Sequence, residues 1–345
     1  MSGDPLLELA ATGLRHTDTV CLDTATVRAI AGHRITGAAM SALRAGAIEG
    51  DPDVIELLRE GHRQAVESSM AAMAAGGRAV DLLTAAGLQP VVLKGWATAH
   101  LDHADPCDRN FGDADLLLGA HIVDALDVLV AAGGVVDVPP PSRAWLARFG
   151  KDVAVRLAGY EVDLHRSLVE GAFGLTIDID ELAAHTEPFT VGRRQLLALD
   201  APGRLVHAAV HTASSTIERL SSARDVATLL VVTAVPWEIA VERAARWRVD
   251  GLLAAGIATT WRQLGMPAHP AADWAAAHAP DPAQRRALAS LRTGESRWWS
   301  GVTALPWRVR PAYLAPMAWP SAEYLAARGR TRREHITLSL GRLRP

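Results

Sequence analysis

The sequence predicts an α/β fold of the α+β kind, a small sheet set between large helical N- and C-terminal regions. Two observations carry this. Apolar residues recur at helical spacing before residue 88 and again from about residue 200. Between these regions, residues 89–170 hold three or four short β-rich runs, too few for a large doubly wound sheet. The expected organisation is a helical region over 1–88, an α/β core over 89–195 and a helical region over 196–345.

The elements follow in order. "DPDVIELLREGHRQAVESSM" opens with Asp51 as N-cap and Pro52 at the first helical position. Val66, Met70, Met73, Val80 and Leu83 continue at helical spacing, with Gly76 and Gly77 as a point of bending or division and Gly87 as the stop. "PVVLKG" is a short strand closed by glycine. "WATAHLDHADPCDRN" is a short helix and loop, and "FGDADLLL" is a second strand. "AHIVDALDVLVAAGG" is an amphipathic helix with Ile122, Ala125, Leu129 and Ala132 on one face. After the Pro-rich "VVDVPPPSRAW", "DVAVRLAG" and "YEVDLHRSLV" alternate at period two and form a hairpin around Gly159. Beyond 200, "RLVHAAVHTASS", "ARDVATLLVVTAV", "PWEIAVERAARWRVDGLLAAGIATTWRQLG" and "PAQRRALASLRTGESRWWS" are helical. Trp298, Trp299 and Trp307 are expected in a late core, and "RGRTRREH" as a solvated terminus.

Composition narrows the function. With 49% hydrophobic residues, the 345-residue chain can bury a real core. A net charge of −3 gives no reason to expect a nucleic-acid groove. Cys21 and Cys107 are too few for a disulfide scaffold. The start, "MSGDPLLELA", has no basic region followed by an apolar stretch and is not a secretory signal. "VATLLVVTAVPWEIAV" is broken by Pro236 and carries Glu238, so it reads as buried helix rather than a membrane span. A soluble cytoplasmic protein is expected.

Chemistry concentrates in "FGDADLLL". On a strand, Phe111, Asp113, Asp115 and Leu117 point one way, and Ala114, Leu116 and Leu118 the other. The two carboxylates then stand about 7 Å apart at Cβ. Burying two like charges so close is costly, and a divalent cation removes the cost; carboxylate oxygens suit Mg²⁺. Asp163, on a strand face with Glu161 and His165, would complete a three-carboxylate cluster for two-metal phosphoryl chemistry. Lys94 and Arg109 supply positive charge for phosphates, and Gly95 permits close backbone approach. Trp96 covers either a base or the core. The plain alternatives are a solvated strand face for Asp163, a hydrogen-bonded structural role for His165 and a simple turn at Gly95. His207 and His211, four apart, have metal-ligand spacing, with packing or a hydrogen bond from His211 to Asp225 the favoured alternative.

"LKGWATAHL", "DRNFGDADLLL" and "YEVDLHRSL" together resemble an uncharacterised nucleotidyltransferase-like family of the polymerase-beta superfamily. The matching positions are Leu93, Lys94 and Gly95; Arg109, Asp113, Asp115, Leu116 and Leu117; then Asp163, Leu164 and His165. "HAAVHTASS", "RDVATLL" and "WPSAEYL" extend the likeness, over about residues 55–328, and the first 50 residues add nothing recognisable. The resemblance implies a small mixed sheet of nucleotidyltransferase type. It implies transfer of a nucleoside monophosphate from an NTP, ATP by preference, to a small-molecule or peptide acceptor, with pyrophosphate release. Asp113 and Asp115 would bind two Mg²⁺ ions, and Asp163 would bind the catalytic ion and activate the acceptor hydroxyl. Lys94, Gly95, Arg109 and His165 would contact the nucleotide. The superfamily's Gly-Ser after the first strand is Lys94-Gly95-Trp96 here, with Lys94 and Arg109 expected to compensate. A natural-product pathway would fit. The alternatives are a non-catalytic nucleotide-binding or scaffold protein and a Mg²⁺-dependent kinase-like phosphotransferase.

Overall fold

A computed structural model describes residues 4–215, 217, 219–293, 302–303 and 305–341. Two short strands, β1 (Val20–Leu22) and β2 (Ile48–Gly50), pair in parallel within the N-terminal region. The main sheet comprises β3 (Val91–Leu93), β4 (Ala114–Leu117), β5 (Asp152–Leu157), β6 (Tyr160–His165), β7 (Thr186–Val191) and β8 (Arg194–Leu199). Their order is β5-β6-β4-β3-β8-β7. The β4–β6 and β3–β8 pairs are parallel and the others antiparallel, so the sheet is mixed, as the fold class requires.

Residues 89–170 supply four strands, β3 to β6, as the alternation predicts, and β7 and β8 beyond them bring the sheet to six. The unforeseen β7–β8 hairpin is an edge element. In β7 only Phe189 is fully buried, so no apolar alternation marks it. The β5–β6 turn follows expectation. Ala158 and Gly159 have φ of 51° and 87°, the pair of left-handed residues that a tight two-residue hairpin needs.

The sheet is covered on both faces. Val92, Ala114, Leu116, Val162 and Leu164 pack against the helices Pro52–Ala85 and Ile122–Ala131. Val91, Leu93 and Leu117 pack against Ala201–Ser214, Leu220–Val231 and Asp250–Leu264. The alternation read in "FGDADLLL" thus places Leu117 on one face and Ala114, Leu116 and Leu118 on the other.

Asp51 caps the first long helix, and Pro52 opens it. The helix runs 34 residues without dividing at Gly76–Gly77. A Cβ on Gly76 would lie 2.6 Å from the Ala114 Cβ and 2.9 Å from the Trp96 ring. The glycine marks close helix–sheet approach rather than a bend. Leu220, Ala223 and Ala227 join the N-terminal helices in a further core with Leu9, Ile30 and Ile35, so Leu220–Val231 is enclosed nearly all round. That enclosure explains the greasy run, which ends before Pro236; no helix among the described residues is long and apolar enough to cross a membrane.

One C-terminal expectation fails, and another holds except at one residue. Trp307 is 71% exposed, with the Arg308 guanidinium over its ring, and packs no core; Trp298 and Trp299 lie outside the described residues. "RGRTRREH" leads into the helix Arg332–Gly341, and buried His335 donates from Nε2 to the Met317 carbonyl at 2.7 Å. The rest of "RGRTRREH" is exposed or partly exposed, as its charge predicts, and the histidine anchors it.

Candidate active site

Strand register assembles the site. The parallel β4–β6 ladder sets Asp115 opposite Asp163 and Leu117 opposite His165. The β3–β4 ladder sets Leu93 opposite Asp115, which delivers Lys94 to that carboxylate. Ligand atoms of Asp115, Asp163 and His165 lie within 4.8 Å of one another, and so do those of Asp113, Glu161 and Asp163. Asp163 belongs to both groups, so Asp113, Asp115 and Asp163 come together. The loop before Asp113 is anchored: the Phe111 amide donates to Ser69 Oγ at 2.9 Å, and that hydroxyl donates to the Phe111 carbonyl at 2.8 Å.

Neighbours set the charge of each group. Asp115 is 3% exposed and accepts from His165 Nε2 at 2.7 Å and from Lys94. Burial pushes its pKa up, but Lys94 and His165 outweigh burial and hold the carboxyl well below its usual range. Asp163 has no such help. Burial, reinforced by Asp115 and Asp152, pushes its pKa up to about 8. With Asp163 ionised, the cluster would carry more negative charge than Lys94 neutralises, and its donors are hard oxygens. Both properties fit a divalent cation such as Mg²⁺.

Lys94 adopts φ +47°, a left-handed backbone conformation that non-glycine residues rarely hold. Burial pulls its pKa down, and Asp115, with Asp163 and Asp113, more than reverses that. Gly95 is small for a local reason: a Cβ there would lie 2.6 Å from the Phe111 Cβ. Trp96 is buried, edge-on to Phe189, so its ring belongs to the core. Arg109 is buried and engaged, donating from Nε and Nη2 to Asp225 at 2.6 and 2.7 Å. Asp225 thus pairs with Arg109 and not with His211. Arg109 lines a small cavity of about 40 Å³ with Lys94, Arg204, His207, His211 and Asp225. Burial leaves both histidines neutral, drawing His211 down to about 4 and His207 well below its usual value. They form no three-ligand metal group among the described residues.

Other residues join the site without a sequence motif. Glu161 completes the Asp113 group. Asp152 stands opposite His165 on β5, its Oδ2 4.0 Å from His165 Nδ1, and pairs with Lys151 at 2.6 Å. The two-residue turn at Ala158–Gly159 implies that register, and would have shown Asp152 beside His165. Lys151 and Asp152 also line a larger cavity, about 340 Å³, with Pro139–Pro141, Trp145, Phe149, Tyr313 and Tyr324. Its aromatic walls interlock, with Tyr313 5.8 Å from Trp145 and 5.2 Å from Phe149 between ring centroids.

A family model described as an uncharacterised nucleotidyltransferase matches residues 23–264. The match starts well before residue 55, so it takes in N-terminal helices that carry no recognisable motif, and it ends short of "WPSAEYL". No curated protein and no solved structure matches the chain.

Proposed function

This chain belongs to the uncharacterised nucleotidyltransferase family, and from that membership we propose that it is a Mg²⁺-dependent nucleotidyltransferase. It moves a nucleoside monophosphate from an NTP, ATP by preference, to a small-molecule or peptide acceptor and releases pyrophosphate. The observation that supports this most is the convergence of Asp113 and Asp115 on Asp163 from two parallel strands.

Asp113, Asp115 and Asp163 would hold the metal. Bound Mg²⁺ would lower the pKa of the acceptor hydroxyl and offset charge on the triphosphate. His165 orients Asp115 through its Nε2–H. Asp163 is the carboxylate placed to receive the acceptor's proton. Lys94 contributes a cation beside Asp115, and Arg109, held by Asp225, shapes the cavity wall rather than swinging freely to a phosphate. The aromatic cavity at Asp152 is the acceptor site, because it adjoins the cluster and its volume suits a small molecule or side chain. Four of its lining residues, Tyr313, Met317, Tyr324 and Arg328, lie beyond the family-matched segment. Acceptor choice is therefore a property of this chain more than of the family. The activity belongs in the cytoplasm, where NTP and Mg²⁺ are plentiful.

One observation favours a non-catalytic nucleotide-binding role: the Lys94 ammonium already occupies Asp115. Incubation with labelled NTPs, Mg²⁺ and cell extract separates the possibilities. Pyrophosphate release supports nucleotidyl transfer, and nucleoside diphosphate release a kinase. Absence of turnover, with nucleotide bound equally by wild type and Asp113→Asn, supports the binding protein.

A further inference from the structure

The guanidinium groups of Arg34 and Arg219 form no hydrogen bond or ion pair among the described residues. Arg34 joins the helices Thr24–Gly32 and Thr36–Arg44 with φ +55°, again a left-handed conformation. Its loop is stitched to the start of the helix Leu220–Val231. The Ser221 amide donates to the His33 carbonyl at 3.3 Å, and the Leu220 amide to His33 Nδ1 at 3.5 Å. Those bonds bring Arg34 near enough to Arg219 for the two charges to repel. On its other side, Arg34 Nη2 lies 3.8 Å from the position of a Cβ on Gly112, the residue before Asp113.

Arg34 is about half-buried, yet its guanidinium has no hydrogen bond or ion pair among the described residues. Its surroundings work against its charge: burial first, then Arg219, pull its pKa down, and Asp113 only partly offsets them. Asp113 is itself committed to the group with Glu161 and Asp163. Holding two like charges together in a partly buried position is unfavourable unless an anion joins them, just as the carboxylates call for a cation.

The geometry points to a polyphosphate subsite formed by Arg34 and Arg219, which grips the β- and γ-phosphates of the NTP. The inference rests on the nucleotidyl transfer proposed above, and it assigns the phosphate-binding duty that Lys94-Gly95-Trp96 lacks a serine to perform. Polyphosphate is favoured over a simple carboxylate for two reasons. Two planar guanidinium forks match several phosphate oxygens at once. The adjacent acidic cluster is placed to bind cations that bridge the same phosphates. The site also has direction. Unpaired cations lie at the Asp113 end, the carboxylates in the middle, and the aromatic cavity at the Asp152 end. Triphosphate and acceptor would approach the shared Asp163 from opposite sides.

The test is calorimetry on the full chain with Mg²⁺, using inorganic tripolyphosphate, a non-hydrolysable ATP analogue and AMP. Arg34→Asn retains a residue that tolerates the left-handed backbone, and Arg219→Ala alters a separate loop. Each variant should bind tripolyphosphate and the analogue roughly 10-fold or more weakly, the scale of a lost charge-assisted contact, with AMP affinity unchanged. Tripolyphosphate affinity within about 2-fold of wild type in both correctly folded variants would overturn the subsite. So would pyrophosphate-releasing turnover whose KM for NTP neither variant changes, which leaves nucleotidyl transfer standing. Arginine-dependent tripolyphosphate binding without any pyrophosphate release would support the subsite and count against nucleotidyl transfer.

Discussion

Asp115 and Asp163 face each other across the parallel β4–β6 ladder, with ligand atoms within 4.8 Å. Only one of them has its own hydrogen-bond donors: the Lys94 ammonium and His165 Nε2 both meet Asp115. Asp115→Asn keeps the shape and removes the charge. Turnover should fall at least ~100-fold, the scale of losing several kcal/mol of metal-mediated stabilisation. Steady-state pyrophosphate release checks it, and a variant retaining more than half the rate removes Asp115 from the metal site.

The long helix Pro52–Ala85 offers a matched pair of glycines. Gly61→Ala meets nothing within 4 Å and should stabilise by up to about 1 kcal/mol through helix propensity. Gly76→Ala forces a methyl to within 2.6 Å of Ala114 and 2.9 Å of Trp96, both buried. Overpacking of about 1–3 kcal/mol should then exceed the propensity gain. Urea unfolding of the two variants should move the midpoint in opposite directions; a stabilised Gly76→Ala would mean the helix stands further from the sheet.

Buried histidines make stability depend on pH. Burial draws His103 and His211 down to about 4 from 6.5, and His103 Nε2 is buried without a partner. Between pH 6.5 and 4 these two histidines bind protons in the unfolded chain and not in the fold, so their contribution falls as pH drops; Asp163, raised to about 8, holds a proton in the fold and works the other way. By pH 5 each histidine should remove about 2 kcal/mol relative to pH 7.5. Unfolding free energy measured from pH 7.5 to 5 in wild type and His103→Gln should differ by about this amount at pH 5, with the variant losing less stability as pH drops. An equal slope in that variant would mean His103 is solvated.

The legible parts of this fold are those written locally. Asp51 and Pro52 announce a helix start, and period-two alternation sorts Asp113, Asp115 and Leu117 from Ala114, Leu116 and Leu118. The parallel register that puts Asp115 beside Asp163 is not local, because two helices, a Pro-rich loop and strand β5 separate the two strands. Arg34 leaves no trace in its own segment; the Leu220 and Ser221 amides, donating to His33, hold its loop at the site. Arg109 was legible as a cation in the right loop, but its partner Asp225 lies 116 residues away. Charge is visible in a sequence, whereas the counter-charge that decides its role comes from tertiary packing.

The Lys94–Asp115 pair joins fold to function. Lys94 holds a strained backbone with its ammonium on a carboxylate that is 3% exposed. Removing one member of a buried pair leaves the other charge uncompensated and costs about 3–5 kcal/mol. Because 21% of the Lys94 side chain remains exposed, the lower end is expected for Lys94→Met without metal. If Mg²⁺ and the ammonium compete for Asp115, added Mg²⁺ should raise the melting temperature of Lys94→Met more than that of wild type, since the cation meets a carboxylate with no rival. If Lys94 instead helps to hold the loaded site, the Mg²⁺-dependent rise should be smaller in the variant. Thermal unfolding in EDTA and in millimolar Mg²⁺ distinguishes the two, and an equal rise in both proteins would remove Lys94 from any contact with the metal site.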